Sequence, residues 1–437
     1  MRIIQKIFKI ALLYFRSPYF GFIQGHDDLR ESELLEIKNN IGKTNSNTIH
    51  TYETEMGSLI GDGYVISFAA ARMGFYSILK SLNIGSGDEI ILLGSNCSVM
   101  VNAVIRIGAK PMFSDIDPNT FGSSLNEIQK VISPYTKVIV AQHSFGIPCD
   151  IDPIVNYAKS NGIFLIEDCA LTLGSKVNGI TVGNFGDAAI FSTDHSKPLN
   201  TMIGGFVYTK NRDLYTKLKE IQFSARDLPI RKQKAIFKRI KLERKFCNSK
   251  SYGKFLAIES WESIRNRIFK SESAFLMEDY SSQRGSFDYY PAKFPLMLAI
   301  LGLIEIDRWK ENLKLRNIIF EEILKIVQNS PMEKVLPSAY FNKNLTIYPL
   351  RFVWSEKNRF LFSDLLSKFI HTDWFWFQKP IIASQEPLEN FGYIHGSCSI
   401  SESIGKDIIN IPCNIRKDEI GTMLKLFKKT IKEVYCL

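Results

Sequence analysis

Strand-like and helix-like patterns alternate along the chain from Val65 to Thr209, and this alternation restricts the possible folds more than any other feature. Each apolar run has the length of a buried strand, and apolar residues at helical spacing separate one run from the next. Such alternation produces right-handed crossovers and a mostly parallel sheet covered by helices on both faces. The pattern predicts helices at 70–82, 99–107, 124–132 and 151–160 and strands at 89–93, 110–115, 137–142, 163–167, 188–192 and 205–209.

The length of 437 residues exceeds what one hydrophobic core usually supports. We predict an N-terminal helix with a connecting segment over 1–60, a large domain over 61–290 with a mostly parallel seven-stranded sheet, and a smaller C-terminal α/β domain over 291–437. Residues 212–285 interrupt the alternation and are interpreted as a basic helical insert. The C-terminal part is predicted to contain helices at 295–328, 359–371 and 417–434 and strands at 346–353 and 408–411.

The formal net charge of +10 is concentrated in one segment. Residues 231–250 contain nine basic residues and one acid, Glu243, with apolar residues interleaved. A segment of this kind suits a nucleic acid, a nucleotide-linked or lipid-linked acceptor, or a solvated helix face that needs no ligand. The sequence leaves these interpretations open, although we do not expect nucleic acid to be the partner.

Seven cysteines are scattered along the chain without the spacing of metal ligands. Their odd number argues against a complete disulfide framework. We therefore predict no metal site, and we expect the reducing cytoplasm as the location.

Residues 1–20 are predicted to form an amphipathic helix. Basic residues interrupt this segment, so its uncharged apolar run is too short for a signal-peptide core or a membrane span. The apolar stripe is expected to pack on the body of the protein or on a partner subunit. Weak contact with an anionic membrane surface is the alternative.

An acid and a lysine stand out between Ile166 and Gly205. Asp168 follows a predicted strand directly, and Lys197 lies in a polar turn before a glycine pair. Ligands of parallel α/β sheets bind beyond the carboxyl ends of the strands, where Ser192 closes another strand. A pyridoxal phosphate enzyme needs an amine that forms a Schiff base and a carboxylate that keeps the pyridine nitrogen protonated. Lys197 offers the amine and Asp168 the carboxylate, although each residue taken alone is also ordinary at a protein surface.

A series of motifs follows in order along the chain: NIGSGDEIILL, VNAVIRIGAKPMFSDIDPNTF, HSFGIPCDIDPI, FLIEDCA, GNFGDAAIFS, LGLIEIDRW and IINIPCN. In content and order they resemble the DegT/StrS family of sugar aminotransferases. The resemblance runs from about Val65 to Thr209 and resumes more weakly from about Phe287. It implies a fold-type I enzyme that depends on pyridoxal 5′-phosphate.

The resemblance implies roles for particular residues. Lys197 is expected to carry the cofactor, and Asp168 to pair with its ring nitrogen. Ser192 matches the serine that binds the cofactor phosphate, together with the N-terminus of a helix that begins near Ala71. Arg72 replaces a hydroxyl residue there and is expected to supply a charge-assisted contact instead.

Three positions depart from the family pattern. Cys97 stands where an aromatic residue usually covers the cofactor ring, and Leu171 stands where a glutamine usually contacts the cofactor hydroxyl. Asp288 falls at the position of an asparagine that binds the phosphate of the partner subunit, and like charges make an acid a poor ligand there. The substrate side of the site is therefore expected to differ from that of its relatives.

Two histidines lie close to the candidate pair in sequence. His143 ends a strand and is expected to line the floor of the cofactor site. His195, two residues before Lys197, has either a structural role in the turn, which we favour, or a role in proton transfer.

The resemblance implies an enzyme that transfers an amino group, with glutamate as the expected donor, to a keto sugar that is linked to a nucleotide. It implies a role in polysaccharide, O-antigen or related sugar biosynthesis, and a homodimer with its active sites at the subunit interface. A sugar dehydratase of the same family is the closest alternative, but such enzymes characteristically have histidine in place of the lysine. A non-catalytic binding protein on the same scaffold is the other alternative.

Overall fold

The computed structural model describes residues 12–269, 272–277, 279–282 and 289–436. Fourteen strands have both ends in these residues: β1 Tyr64–Phe68, β2 Glu89–Leu93, β3 Asn96–Cys97, β4 Lys110–Ser114, β5 Thr136–Gln142, β6 Phe164–Asp168, β7 Lys176–Val177, β8 Ile180–Thr181, β9 Ala188–Ser192, β10 Gly205–Thr209, β11 Leu345–Thr346, β12 Arg351–Ser355, β13 Ile381–Ile382 and β14 Ile408–Pro412.

The helices along the same residues are α1 Glu31–Asn39, α2 Ser46–Ser58, α3 Ala71–Ser81, α4 Ser98–Arg106, α5 Leu125–Gln129, α6 Ile151–Ser160, α7 Arg212–Ser224, α8 Ile230–Phe246, α9 Tyr252–Phe269, α10 Leu296–Asp307, α11 Trp309–Val327, α12 Arg359–Leu366, α13 Ser399–Asp407 and α14 Ile420–Tyr435.

A seven-stranded sheet forms the centre of the molecule, in the order β1-β10-β9-β6-β5-β2-β4. Strand β10 runs antiparallel to both of its neighbours, and the other six strands share one direction. The α/β fold with a mostly parallel sheet is thus confirmed. Strand β2 is buried along its whole length, as expected for a continuous apolar run in a sheet that is covered on both faces.

The strand and helix predictions between residues 70 and 209 agree with the structure to within a few residues at each boundary. The seventh strand, β1, was not resolved as a separate strand by the sequence pattern. It lies at the edge of the sheet and pairs only with β10 in the sheet order. An edge strand with an exposed first residue, Tyr64, has a weaker apolar pattern than the central strands.

The expectation of mere connecting structure before residue 61 is wrong, because helices α1 and α2 lie there. Helix α2 begins at an N-cap in which the Asn45 side chain accepts from the amides of Asn47 and Thr48. Its buried Tyr52 stacks on Phe294 at 5.1 Å and lies against Gly302 of α10. Tertiary packing therefore stabilises a helix whose own sequence has weak periodicity.

The helix predicted over 295–328 is two helices, α10 and α11, that meet at Arg308. Helix α10 is buried on nearly all sides, whereas α11 has one buried face. The Arg308 side chain pairs with Asp28 and Glu33 near the N-terminus of the described chain. The break at Arg308 separates two helices with different patterns of burial.

Among its described residues, the insert after β10 contains helices α7, α8 and α9, in agreement with its helical interpretation. Several basic residues of the basic segment already pair with acids. The pairs are Arg231 and Lys232 with Glu272, Lys238 with Glu262, Arg239 with Glu243 and Glu259, and Arg244 with Glu31. Much of the segment's charge is therefore balanced within the protein.

Two large hydrophobic clusters organise the molecule. The first covers one face of the central sheet and includes α10. The second is built around the β12-β14 pair, α12, α14 and the C-terminal half of α11. The C-terminal α/β unit is thus present, and its hydrophobic cluster includes Phe20 and Phe22 from the N-terminal segment.

The N-terminal amphipathic prediction falls largely on residues 1–11, which lie outside the described residues. Leu12, Tyr14 and Phe15 are exposed at the start of the described chain, whereas Tyr19 and Phe20 are buried. No helix among the described residues combines the length and the apolar composition that a bilayer crossing requires.

Candidate active site

A cavity of about 570 Å³ opens at the carboxyl ends of β5, β6 and β9. Gln142, Asp168 and Ser192 end these strands and line the cavity. Lys197 borders it from the turn between β9 and β10. The opposite wall comes from the C-terminal unit, through Arg351 and a segment from Asp373 to Gln385. The parallel topology explains this position, because the ends of neighbouring strands meet at one edge of the sheet.

Asp168 is the last residue of β6 and is 4% exposed. One carboxylate oxygen accepts a hydrogen bond from the Ala170 amide at 3.0 Å. Burial raises the pKa of this carboxyl, while the Ala170 hydrogen bond and the charges of Lys197 and His143 oppose the rise. A cationic group bound against Asp168 would favour its ionised form further.

Lys197 lies partly buried in the cavity wall, with its Nζ 5.6 Å from the centroid of the Trp376 ring. Burial lowers the pKa of this amine, although the charge of Asp194 opposes the shift. An amine with a lowered pKa is more often uncharged near neutral pH and is then a nucleophile and a base. The turn is held by backbone bonds from Lys197 N to Asp194 O and from His195 N to Met202 O.

His195 pairs with Asp194, with 2.8 Å between Nδ1 and the carboxylate oxygen. Burial raises the pKa of Asp194, but the charge and hydrogen bond of His195 and the charge of Lys197 outweigh burial and lower it to about 2. The imidazole packs against Phe275 and Trp374, at centroid distances of 4.8 and 5.7 Å. His195 thus joins the turn to the insert and to the C-terminal unit, and it also lines the cavity, so its structural role stays a prediction.

The N-terminus of α3 borders the same cavity beside Ser192. No side chain caps this helix, so its first amides are left for another acceptor. Gly205 allows the close approach, because a Cβ at this position would lie 2.4 Å from the Ala71 amide nitrogen. A hydroxyl and free amides at a helix N-terminus suit a phosphate group.

Arg72 contacts the insert from its place in the cavity wall, and its expected contact with a phosphate stays a prediction. It lines the cavity, but its Nη2 donates to the Leu276 carbonyl at 2.9 Å and its Nε lies 3.4 Å from Asp279 Oδ2. The sequence pattern showed no partner for this arginine because Asp279 is about two hundred residues away. Its charge holds the end of the insert against α3 in this structure.

His143 does not line the cavity, so the expectation that it forms the floor of the site is wrong. Its ring is fully buried; Nε2 lies 3.1 Å from Glu167, and Nδ1 accepts from the Cys149 amide at 3.0 Å. Ligand atoms of His143, Glu167 and Cys169 lie within 4.8 Å of one another, a spacing that a metal site also has. Both Glu167 oxygens, however, already accept bonds from the amides of Gly183, Phe185 and Gly186. These bonds hold residues 183–186 against Glu167, which precedes Asp168 in β6.

Residues 26–241 match the model of the DegT/DnrJ/EryC1/StrS aminotransferase family. Over this range the chain belongs to that family.

The curated relatives of this DegT/DnrJ/EryC1/StrS chain include two named sugar enzymes. GDP-perosamine synthase of Escherichia coli O157:H7 is 35% identical over 187 residues, which is 43% of this chain and 51% of that protein. UDP-N-acetyl-3-dehydro-alpha-D-glucosamine 3-aminotransferase of Acidithiobacillus ferrooxidans is 34% identical over 39% of this chain and 46% of that protein. The matched part thus spans about half the length of these relatives.

The fold extends over nearly the whole chain. The aminotransferase of Psychrobacter cryohalolentis superimposes with a TM-score of 0.68 and 20% sequence identity, covering 93% of this chain and 97% of that one. The fold-type I architecture predicted from the family resemblance is confirmed. The family model matches residues 26–241, whereas the structural match covers 93% of the chain.

Two of the departures from the DegT/DnrJ/EryC1/StrS pattern border the cavity. Cys97 and Leu171 both line it, so their small or apolar side chains shape the space in which a ligand lies. Gln142 lies next to Asp168 in the β5-β6 register and offers an amide on the same wall. Asp288 lies outside the described residues, and its proposed effect on phosphate binding stays a prediction.

Several cavity residues were not found from the sequence. Gln142 ends a strand, and the strand-end argument that found Asp168 and Ser192 applies to it equally. Asp194 had a local signal too, as an acid three residues before Lys197. Arg351 had no such signal, because nothing in a sequence pattern shows that the first residue of β12 lies near strand ends more than 150 residues earlier.

Proposed function

We propose that the chain is a pyridoxal phosphate-dependent aminotransferase. It transfers an amino group from an amino acid, with glutamate as the expected donor, to a keto sugar carried on a nucleotide, in polysaccharide or O-antigen biosynthesis. The observation that carries this proposal is the placement of Lys197 and Asp168 in one cavity beside an uncapped helix N-terminus. The names of the sugar-modifying relatives support the substrate class.

The residues of the cavity fit pyridoxal phosphate. Ser192 and the amides of α3 beginning at Ala71 suit its phosphate, and Asp168 suits its ring nitrogen. Cys97 lies where a flat ring would meet a small polarisable side chain. Arg72 adds positive charge to this end of the cavity, although Asp279 shares that charge. When bound, the cofactor supplies an electron sink for charge that develops on the substrate carbon.

Lys197 acts as the base and acid of the proposed reaction. Its Nζ, made less basic by burial, would accept a proton from the α-carbon of the amino donor and deliver it to the carbon of the bound cofactor that takes up the amino group. Asp168 holds a negative charge that would keep the adjacent ring nitrogen of the bound cofactor protonated. The Trp376 ring, with its centroid 5.6 Å from Nζ, shields one side of the amine from water.

The presence of Lys197 favours transamination over sugar dehydration, because the dehydratases of the family characteristically carry histidine there. The buried acid and amine also argue against a scaffold that only binds a partner. A protein that only binds a partner does not need an amine and a carboxylate at the bottom of one cavity.

The visible spectrum tests this function. The purified protein is expected to bind pyridoxal phosphate with a yellow absorption band, and glutamate is expected to bleach that band as the amino group is transferred. Lys197→Ala is expected to lose the band and to lower turnover by about 10³-fold or more. Lys210→Ala is the matched control, since Lys210 pairs with Asp62 at the surface away from the cavity. Normal transamination by Lys197→Ala would disprove the assignment of the base.

The wider setting of the enzyme is also a proposal. We infer a cytoplasmic homodimer with active sites at its subunit interface, as expected of the family. Exposed Leu12, Tyr14 and Phe15, with Lys254 placed 5.6 Å from the Tyr14 ring, support weak contact of the N-terminal segment with an anionic membrane surface. Co-sedimentation with vesicles that contain phosphatidylglycerol measures that contact.

A further inference from the structure

Three lysines of the basic segment, Lys234, Lys241 and Lys245, have no acidic partner among the described residues. All three are exposed, whereas the other basic residues of α8 pair with acids. Together with Lys238 they recur every three or four residues, so α8 presents a row of four lysines along one side. The net charge of the basic segment is therefore concentrated in this row.

Helix α9 lies beside the lysine row. Lys238 Nζ is 2.9 Å from Glu262 of α9, and the Lys238 side chain is 63% exposed, so the two helices meet at the surface there. Arg239 pairs with Glu259 one turn earlier in α9. Both acids of α9 are thereby paired, so they do not cancel the charge of the three unpaired lysines.

One tryptophan of α9 is exposed next to the lysine row. Trp261 directly precedes Glu262, the partner of Lys238, and is 58% exposed. The other four tryptophans of the chain are buried or partly buried. A large aromatic ring with a polar edge, placed beside a row of cations, suits a boundary between apolar and polar surroundings.

The N-terminal segment supplies a second exposed aromatic ring, at the C-terminal end of α8. Lys245 Nζ lies 5.2 Å from the Phe246 ring, and Phe246 packs in one hydrophobic cluster with Leu13. Helix α9 holds the same segment closely, because a Cβ on Gly253 would lie 2.0 Å from the Leu13 carbonyl oxygen. Phe15, two residues beyond Leu13, is 82% exposed. An aromatic ring is thus presented to solvent near the last lysine of the row.

The headgroup region of an anionic bilayer matches this combination of groups. Lysine side chains reach lipid phosphates, and the rings of Phe15 and Trp261 enter the layer beneath them. Duplex nucleic acid would meet the lysines but offers no apolar layer for the two rings. A two-fold contact between copies of this chain would oppose identical lysine rows, and like charges repel.

We propose that α8, α9 and the N-terminal segment dock together on an anionic lipid bilayer. The docking face consists of Phe15, Lys234, Lys238, Lys241, Lys245 and Trp261. The inference rests on the membrane contact proposed above and extends it, because it assigns the basic segment to the same surface. It does not depend on the transamination chemistry, since none of these residues borders the cavity.

Vesicle flotation tests the lysine row. The purified protein is expected to bind vesicles of equal parts phosphatidylglycerol and phosphatidylcholine, less so as salt is added, and not to bind phosphatidylcholine alone. The triple variant Lys234→Gln, Lys241→Gln, Lys245→Gln is expected to bind the anionic vesicles about 100-fold more weakly, because each lysine near an anionic surface adds to the attraction. Unchanged binding by this variant would overturn the proposal.

A second triple variant controls for net charge. Lys425, Lys428 and Lys432 are exposed along one side of α14. The variant Lys425→Gln, Lys428→Gln, Lys432→Gln loses the same charge and is expected to bind anionic vesicles like the unaltered protein. Equal weakening in the two triple variants would mean that net charge alone attracts the protein, which contradicts a defined docking face.

Fluorescence quenching locates the bound surface. Bromine quenches tryptophan emission only at short range, so vesicles that contain brominated phosphatidylglycerol are expected to quench Trp261. Trp261→Phe is expected to remove most of this quenching while the protein still floats with the vesicles. Full quenching in Trp261→Phe would show that a different surface faces the lipid.

Other results would assign the face to another occupant and overturn the proposal. Binding to a DNA duplex without binding to vesicles would indicate nucleic acid. Dissociation of a dimer in the α8 triple variant, measured by light scattering, would indicate a subunit interface. If Phe15→Ser abolishes vesicle binding and the α8 triple variant does not, the N-terminal segment contacts the membrane without the basic segment.

The cofactor spectrum separates this test from that of the proposed function. The α8 triple variant is expected to keep the yellow band and its bleaching by glutamate, which also shows that the variant is folded. Loss of that band in the triple variant would contradict the independence of the docking face from the cavity. Failure of the spectroscopic test in the unaltered protein, with vesicle binding retained, would disprove the transaminase and leave the docking face.

Discussion

At the scale of single residues, the environment rather than the residue type decides which charged groups belong to the candidate site and which stabilise the fold. His26 illustrates the second case. Its ring is fully buried, with Nδ1 3.2 Å from Glu305 and Nε2 3.8 Å from Glu243. Burial disfavours the charged ring, but the hydrogen bond to Glu305 and the charges of Glu305, Glu243 and Asp28 outweigh burial and raise the pKa of His26.

The raised pKa predicts a pH-dependent contribution to stability. The contribution is fully present below the unfolded value of about 6.5 and is lost as the pH rises through the higher pKa of the folded state. His26→Gln is therefore expected to lower the free energy of unfolding by roughly 1–3 kcal/mol near pH 6 and by less near pH 9. Urea unfolding at both pH values measures the difference. A difference that is equal at the two pH values would contradict protonation of His26 in the folded state.

At the scale of elements, one acid attaches the end of the insert to the large domain. Asp279 is fully buried between α3 and α4, with Oδ1 2.6 Å from Arg106 Nη2 and Oδ2 3.4 Å from Arg72 Nε. The Asn102 side chain donates to the carbonyls of Asp279 and Ser281, at 2.9 Å each. This attachment carries Phe275, Leu276 and Tyr280 to the cavity wall.

Asp279→Asn is expected to loosen that wall. The substitution keeps the shape of the side chain but removes a buried negative charge that pairs with Arg72 and Arg106, and breaking a buried pair costs about 3–5 kcal/mol. Amide hydrogen exchange of residues 272–282 is expected to accelerate, while the exchange of β5 and β6 stays slow. Asp62→Asn serves as the control, because Asp62 pairs with Lys210 at the surface. Equal exchange of residues 272–282 in both variants would show that Asp279 does not hold the segment.

At the scale of the whole molecule, the cavity lies where the sheet edge meets the C-terminal unit. Strand β13 pairs in parallel with β3, which joins Ile381 and Ile382 directly to Asn96 and Cys97. Asp115, just beyond β4, accepts from the amides of Ile400 and Ser401 and so caps α13 from the other unit. The two hydrophobic clusters are thus joined by backbone pairing and capping around the candidate site.

The proposed homodimer predicts that activity depends on assembly. Light scattering after gel filtration is expected to give twice the mass of one chain. If the partner completes each site, turnover per chain is expected to fall on dilution in parallel with the dimer fraction. Constant turnover per chain in a preparation shown to be monomeric would exclude a site shared between subunits.

The sequence by itself determined the central sheet and the chemistry at its edge. An apolar run such as the one in β2, Glu89–Leu93, indicates from local sequence that the strand is buried on both faces. A parallel sheet then brings the strand ends at Asp168 and Ser192 to one edge. The tertiary structure alone decided what depends on the path of the chain. Helix α2 requires α10, Arg72 finds Asp279 in the insert, His143 turns away from the cavity towards Glu167, and Arg351 reaches the cavity from β12. The reason is physical: periodicity encodes the burial of each segment, whereas an ion pair or a cavity wall depends on which distant segments fold against each other.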